Sequence, residues 1–372
     1  MKFKRTIKFK LPNDNRLISL LKYLREIKNY IAFVCIEGNF KSLKKLHKAV
    51  YYKIREKYPF IPARFIIDIE REVLAIIKAV RKSKSSFYSF KSYSAWLTKG
   101  QSFNFDWDSI SIIYEAYGSG KKAKWILFRI RKDKRYSKYK DWNFKEARLK
   151  FDGNLWFYLI VEKEVELKNT KKLIGVDINF DNVTLSNKVK IPYDLKRGLA
   201  IQESIERIMK KYNKQWRCNK GILRAIRRRW RNLRNYLNDL SWKVALKVVS
   251  FGANIVLENL KGLKNVDLGR KFNKRLNLFV YRKIQRKIEI KAEEFGLRVI
   301  YVNAKGTSSY CPKCGNKTIK KSYKLLYCKN CNMEWDRDYL ASLNILKRGM
   351  KMWVVRQPEL LQLDATPRRM KR

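Results

Sequence analysis

Leu173-Ile174-Gly175-Val176-Asp177 is a short apolar run that ends in a carboxylate. Its length and composition predict a buried strand with the acid at its C-terminal end. Asn254-Ile255-Val256-Leu257-Glu258 repeats the pattern. Asp336-Arg337-Asp338 then opens a segment of helical spacing that runs through Leu346. In a buried sheet, carboxylates at strand ends and at a helix start can converge on one open face and supply the hard oxygen ligands that Mg2+ requires. Two such ions about 4 Å apart activate water and stabilise the leaving oxygen of a phosphodiester. Taken singly, each acid also has an ordinary reading. A strand-end Asp is often a turn residue, Asp338 can cap its helix, and Glu258 can pair with a lysine. Asp181, Glu334 and Asp336 compete for the same roles.

Downstream of the strands, Cys311-Pro312-Lys313-Cys314 and Cys328-Lys329-Asn330-Cys331 form two C-x2-C pairs separated by thirteen residues. Each pair lets two thiolates reach one metal from a tight turn. Four thiolates close a tetrahedral shell, the structural form of a zinc site. Cys35 and Cys218 stand alone, and a disulfide framework is not expected in a chain without an export signal.

The 372 residues include 87 Lys and Arg against 33 Asp and Glu, a formal net charge of +54. Self-repulsion on that scale points to a polyanionic partner. The basic residues spread along the whole chain, with clusters such as Arg227-Arg228-Arg229. A long nucleic acid, held through many phosphates, suits this better than a membrane surface. There is no apolar run of 18 residues, so no membrane span is expected. Met1-Lys2-Phe3-Lys4-Arg5 lacks an apolar stretch behind it and is read as a cytoplasmic start. The single histidine, His47, excludes chemistry built on paired histidines. It is expected to be an ordinary surface or nucleic-acid-facing residue of a helix.

Along the chain, residues 1–11 alternate as a basic strand, and Pro12-Asn13-Asp14 breaks it and can cap a helix. From about 15 to 90 the spacing is helical, with the stripes Leu17, Leu20, Leu21, Leu24, Ile27 and Phe65, Ile66, Ile69, Val73, Ile76, Ile77. Tyr51, Tyr52, Tyr58, Phe87, Tyr88 and Phe90 lie among lysines there, which suits either base stacking or a plain helical bundle. Strands are expected from about 100 to 168, clearest at 125–130 and 155–161. With the first strand they can form a small barrel. A long helical stretch follows at about 199–250, where Leu223, Ile226, Trp230, Leu233, Leu237, Leu240 and Val244 form a heptad seam. A basic helix is expected at about 275–295, and a loose basic tail over the last twenty residues.

The run Asn303-Ala304-Lys305-Gly306-Thr307-Ser308-Ser309-Tyr310-Cys311, the second cysteine pair and Asp336-Arg337-Asp338-Tyr339-Leu340-Ala341-Ser342-Leu343-Asn344-Ile345 resemble the C-terminal signature of TnpB, a family of transposon-encoded, RNA-guided DNA endonucleases similar to the type V CRISPR effectors. Ile174-Gly175-Val176-Asp177 and Ile255-Val256-Leu257-Glu258-Asn259-Leu260 resemble that family's first two RuvC motifs. The resemblance covers about 173–349. It implies an α+β multidomain protein: a RuvC/RNase H-like nuclease domain (171–302 and 335–352, with a helical insertion at about 199–250), an inserted zinc ribbon (303–334), and an N-terminal β-barrel wedge domain (1–12 and 100–170) interrupted by a helical recognition domain (13–99), followed by a basic tail (353–372). It implies that Asp177, Glu258 and Asp338 are the catalytic Mg2+ or Mn2+ ligands, with Asp338 favoured over Asp336, and that Cys311, Cys314, Cys328 and Cys331 hold Zn2+. It further implies a guide RNA and a double-stranded DNA target with a short flanking motif as partners. A monomer carrying one RNA in a prokaryotic cytoplasm or nucleoid is expected. The family shows Asn and Ala where this chain has Leu340 and Ser342. Relatives that have lost the acidic triad act as RNA-guided repressors. A non-cleaving RNA-guided binder and an RNA-independent accessory protein of transposition are therefore the alternatives.

Overall fold

The computed structural model describes every residue except 84, 88, 118–122, 132, 261–280 and 366–372, and the side chains of 135 and 354–365 are also not described. The chain divides into two compact units, Lys2–Glu164 and Met1 with Val165–Arg372.

In the unit Lys2–Glu164, β1 (Lys2–Leu11) turns Phe3, Ile7, Phe9 and Leu11 inward and its lysines outward, as strict alternation on a pleated strand requires. Three helices follow: α1 (Asn15–Glu37), α2 (Leu43–Lys57) and α3 (Ala63–Ser83). The Asp14 carboxylate caps α1 by accepting from the Arg16 and Leu17 N–H groups. Leu17, Leu20, Leu21, Leu24 and Ile27 bury against Phe65, Ile66, Ile69, Val73 and Ile77 of α3 in one core, whereas Ile76 is only half-buried. The chain then returns as β2 (Tyr93–Thr98), β3 (Phe103–Phe105), β4 (Ser109–Glu115), β5 (Lys124–Arg129), β6 (Asn143–Phe151) and β7 (Leu155–Glu164). These strands form two antiparallel sheets, ordered β1-β7-β6-β2 and β3-β4-β5, over the same core as the helices. Strand structure thus begins at Tyr93, before the expected position near 100.

One reading of this region needs correction. His47 is not an ordinary surface side chain. Its Nδ1 lies 2.7 Å from Oε2 of Glu70, a fully buried residue of α3, and its ring packs on Tyr51. The pair ties α2 to α3. Lys28 is also buried, with Nζ 2.7 Å from Glu72, which Arg148 approaches at 3.1 Å. Tyr88, singled out as a stacking candidate, lies outside the described residues.

The second unit is built on a mixed five-stranded sheet, β10-β9-β8-β11-β12. β9 (Asn182–Leu185) runs antiparallel to both β8 (Leu173–Ile178) and β10 (Lys190–Pro192). β8 pairs in parallel with β11 (Asn254–Asn259), and β11 with β12 (Val299–Asn303). Between β10 and β11 lie α4 (Lys196–Lys211) and α5 (Lys220–Val249), and α6 (Tyr281–Glu294) precedes β12. The helical stretch expected at 199–250 is therefore two helices. A 3-10 turn at Asn213–Arg217 breaks it, and the Asn219 side chain caps α5. Ile226, Leu233, Leu237, Leu240 and Val244 bury as the heptad seam predicts, but Trp230 is 40% exposed. The expected helix at 275–280 lies outside the described residues.

One face of the sheet, through Ile174, Val176, Ile255 and Leu257, packs on α5 and α6. The other face, through Leu173, Val256, Ile300 and Val302, packs on α7 (Arg337–Ala365) at Ile345. Gly175 permits that approach, since a Cβ there would overlap the backbone oxygen of Ser342. Helix α7 continues past Leu346 to Ala365, so much of the expected loose tail is helical. Between β12 and α7 the chain forms a small antiparallel sheet, β13 (Ile319–Lys320), β14 (Leu325–Cys328) and β15 (Met333–Asp336). No helix among the described residues is long and apolar enough to cross a membrane.

Candidate catalytic and metal sites

Strand alternation decides where the acids point. Ile174 and Val176 face α5 and α6, so Asp177 falls on the opposite face, with Gly175 and α7. On β11, Val256 faces α7, and Glu258 follows it by two residues onto the same face. The parallel register pairs Leu257 with Val176, which sets Glu258 beside Asp177 at the C-terminal ends of adjacent strands. Asp338 enters this face from the first turn of α7.

Their surroundings differ. Asp177 is 8% exposed, and Asn179 Nδ2 donates to its Oδ2 at 2.9 Å. Burial, and then the charge of Glu258, pushes its carboxyl up to about 8, with Asp338 adding to the effect. The Thr307 hydroxyl donates to Glu258 Oε1, and Gln285 Nε2 donates to the Glu258 backbone oxygen at 2.8 Å. Burial raises the Glu258 carboxyl, while Thr307 and Arg348 pull it down. Asp338 is 1% exposed, and neither of its buried carboxylate oxygens has a hydrogen-bond partner.

Of the competing acids, Asp336 and Glu334 are engaged elsewhere. Asp336 Oδ1 accepts from the Asp338 and Tyr339 N–H groups at 3.1 and 3.0 Å, and its Oδ2 pairs with Lys190 at 2.8 Å. It is the cap of α7, so the capping role considered for Asp338 belongs to Asp336. Glu334 forms an exposed pair with Lys321, and Asp181 is exposed.

The residues fit a divalent cation. Three hard carboxylates share one face, the charges of Glu258 and Asp338 raise the proton affinity of Asp177, and Asp338 presents two orphaned buried oxygens. Among the described residues, however, only the four cysteines converge as a ready ligand shell. Thr307, Gln285 and Asn179 carried no separate signal in the sequence, because each acts through a contact made only on folding. Asn344 holds Thr307 in place, with Nδ2 donating to the Thr307 and Tyr310 backbone oxygens at 2.7 Å.

The cysteine sulfurs all lie within 4.8 Å of one another. A tetrahedral thiolate shell with bonds of about 2.3 Å has sulfur–sulfur edges of roughly 3.8 Å. Cys311 and Cys331 are 3.9 Å apart, and Cys314 and Cys328 are 3.5 Å apart. Each pair is followed by a residue in the left-handed region, Gly315 at φ 80° and Asn332 at φ 50°, the conformation Gly and Asn tolerate best. The Asn316 backbone N–H draws the Cys314 thiol down to about 6, while neighbouring thiols push Cys331 up to about 12. Four thiols packed this way cannot all ionise without a cation among them.

The chain resembles known proteins in the same places. The family model for the Cas12f1-like TNB domain matches residues 281–345, a span that holds α6, β12 and the cysteine sheet. The chain is 32% identical over 240 residues to the TnpB-like protein MJ0751 of Methanocaldococcus jannaschii, covering 59% of this chain and 84% of that protein. It is 29% identical over 229 residues to the CRISPR-associated endodeoxyribonuclease Cas12f2 of a Micrarchaeota archaeon, covering 54% of this chain and 41% of that one. Its fold is similar to that of Cas12f1 in a Cas12f1–sgRNA–target DNA complex, with a TM-score of 0.68 at 17% identity over 89% of this chain and 81% of that one. That likeness shows a shared α+β fold, and the match along most of the archaeal relative's length shows that the chain belongs to the TnpB family.

Proposed function

We propose that this protein is an RNA-guided DNA endonuclease that cuts phosphodiester bonds at a RuvC-type centre formed by Asp177, Glu258 and Asp338. The observation that carries the reading is the shared face of the three acids, with Asp338 buried and its oxygens unpartnered. These carboxylates would hold Mg2+ or Mn2+, which supplies charge stabilisation and an activated water. Asn179 orients Asp177 and Thr307 orients Glu258, in the way outer hydrogen bonds fix metal-ligating carboxylates. Cys311, Cys314, Cys328 and Cys331 would hold a structural Zn2+ that sets the ribbon beside the head of α7.

A guide RNA and a target duplex are the partners this reading assigns. The solved Cas12f1 complex of similar fold contains both kinds of nucleic acid by its description. The net charge of +54 supports contact with two polyanions. Arg224, Arg227, Arg228, Arg231 and Arg234 lie exposed on the side of α5 away from its buried seam, and among the described residues none pairs with a carboxylate. The sheets and helices of Lys2–Glu164 take the wedge and recognition roles in this reading.

Expression with the native flanking DNA, followed by sequencing of the co-purified RNA, tests the guided function. A discrete RNA ending in sequence from beside the gene supports it. Random host RNA contradicts it and favours an RNA-independent DNA-binding role.

A further inference from the structure

One residue of the turn between β13 and β14 reaches the acid cluster. Lys324 Nζ lies 3.5 Å from Asp338 Oδ2 and 4.0 Å from Asp181 Oδ2. The pairing that places it there is local: the Arg337 N–H donates to the Lys324 carbonyl at 2.8 Å, and the next residue, Leu325, pairs with Asp336. Arg337 brings a second cation, Nη2 3.5 Å from Asp338 Oδ1. Neither cation hydrogen-bonds Asp338, whose two oxygens stay buried and unsatisfied.

We propose that Lys324 is the resident counter-ion of the metal-free catalytic site, standing where a divalent ion would place its charge and yielding when that ion binds. The inference rests on the acid cluster being a metal site. A buried carboxylate without a counter-ion is costly, so a nearby ammonium stabilises the empty site. A cation within 4 Å of a ligand oxygen also opposes an arriving dication, so the same contact weakens metal binding. Lysine suits this double role. Its charge sits on a flexible stem, and the Lys324 side chain is 43% exposed, so it can swing into solvent. Because the hairpin register sets its position, the zinc module bears on the charge balance of the catalytic site.

The test is titration calorimetry of Mn2+ into the full-length, zinc-loaded protein without nucleic acid, together with melting of the metal-free forms. Lys324→Met is expected to bind Mn2+ about tenfold more tightly and to melt below wild type when metal-free. Lys324→Arg keeps both values near wild type. Local damage would weaken metal binding, so tightening separates the counter-ion role from a structural one. Unchanged or weaker Mn2+ affinity in Lys324→Met, with zinc content and circular dichroism as in wild type, overturns the proposal and leaves the metal site standing. Wild-type Mn2+ binding that Asp177→Asn leaves intact removes the metal-site reading, and the proposal with it.

Discussion

Asp336 caps helix α7 through the N–H groups of Asp338 and Tyr339, and so leaves the Asp338 carboxylate free to be buried beside Asp177 without a hydrogen bond of its own. Two acids one residue apart thereby divide into a structural role and a candidate catalytic one. The division predicts opposite phenotypes. Asp336→Ala should lower stability by about 1 kcal/mol, the usual worth of a cap, and keep measurable cleavage. Asp338→Asn should abolish cleavage while folding normally. Melting curves and a plasmid assay on the two variants check this.

The buried charge at Asp177 predicts a pH dependence. Its carboxyl sits near 8 in the folded protein, raised first by burial and then by Glu258, against roughly 4 in an unfolded chain. Between those values the folded state binds more protons, so stability falls as pH rises from about 4 to 8. The metal-free wild type should therefore lose melting temperature between about pH 5 and 8, inside that window, more steeply than Asp177→Asn. Saturating Mg2+ should remove most of the difference. Parallel pH profiles for the two proteins would contradict the buried, charge-coupled Asp177.

Thr307 holds Glu258 through its hydroxyl. Thr307→Val keeps the shape and removes the donor, and should reduce cleavage roughly 10–100-fold, the usual cost of losing an outer hydrogen bond to a metal ligand. Thr307→Ser should retain most activity. Equal losses in both variants would assign Thr307 a packing role instead.

The cysteine cluster predicts one zinc per chain. Cys311→Ser should lose that zinc and unfold the ribbon locally, since binding and folding energy are shared in such modules. Gly315→Ala should cost about 1–2 kcal/mol, because Gly315 stands at φ 80°. Elemental analysis and metal-release melting measure both. Full zinc content in Cys311→Ser would contradict the four-thiolate shell.

The places of the three acids on their elements were legible because two apolar runs and a capped helix start are local patterns, and so was the cysteine spacing. What the sequence hid is set by distant contacts. His47 reads as a surface residue until α3 brings Glu70 against it. Trp230 fits the heptad arithmetic and is nonetheless 40% exposed, because the seam partners only part of α5. The helix break near Asn213, which stands at φ 42°, carries no proline or glycine to announce it. Lys324 is one lysine among many until the register of β14 on β15 carries it to Asp338.

Cleavage of a plasmid bearing the guide-matched target, by the protein with its co-purified RNA, tests the central claim most directly when wild type and Asp177→Ala are compared with and without Mg2+. The account predicts cutting by wild type with Mg2+ alone, and a variant that still binds the target but does not cut it. Cutting that survives Asp177→Ala, or target binding by wild type without any Mg2+-dependent cutting, would contradict it.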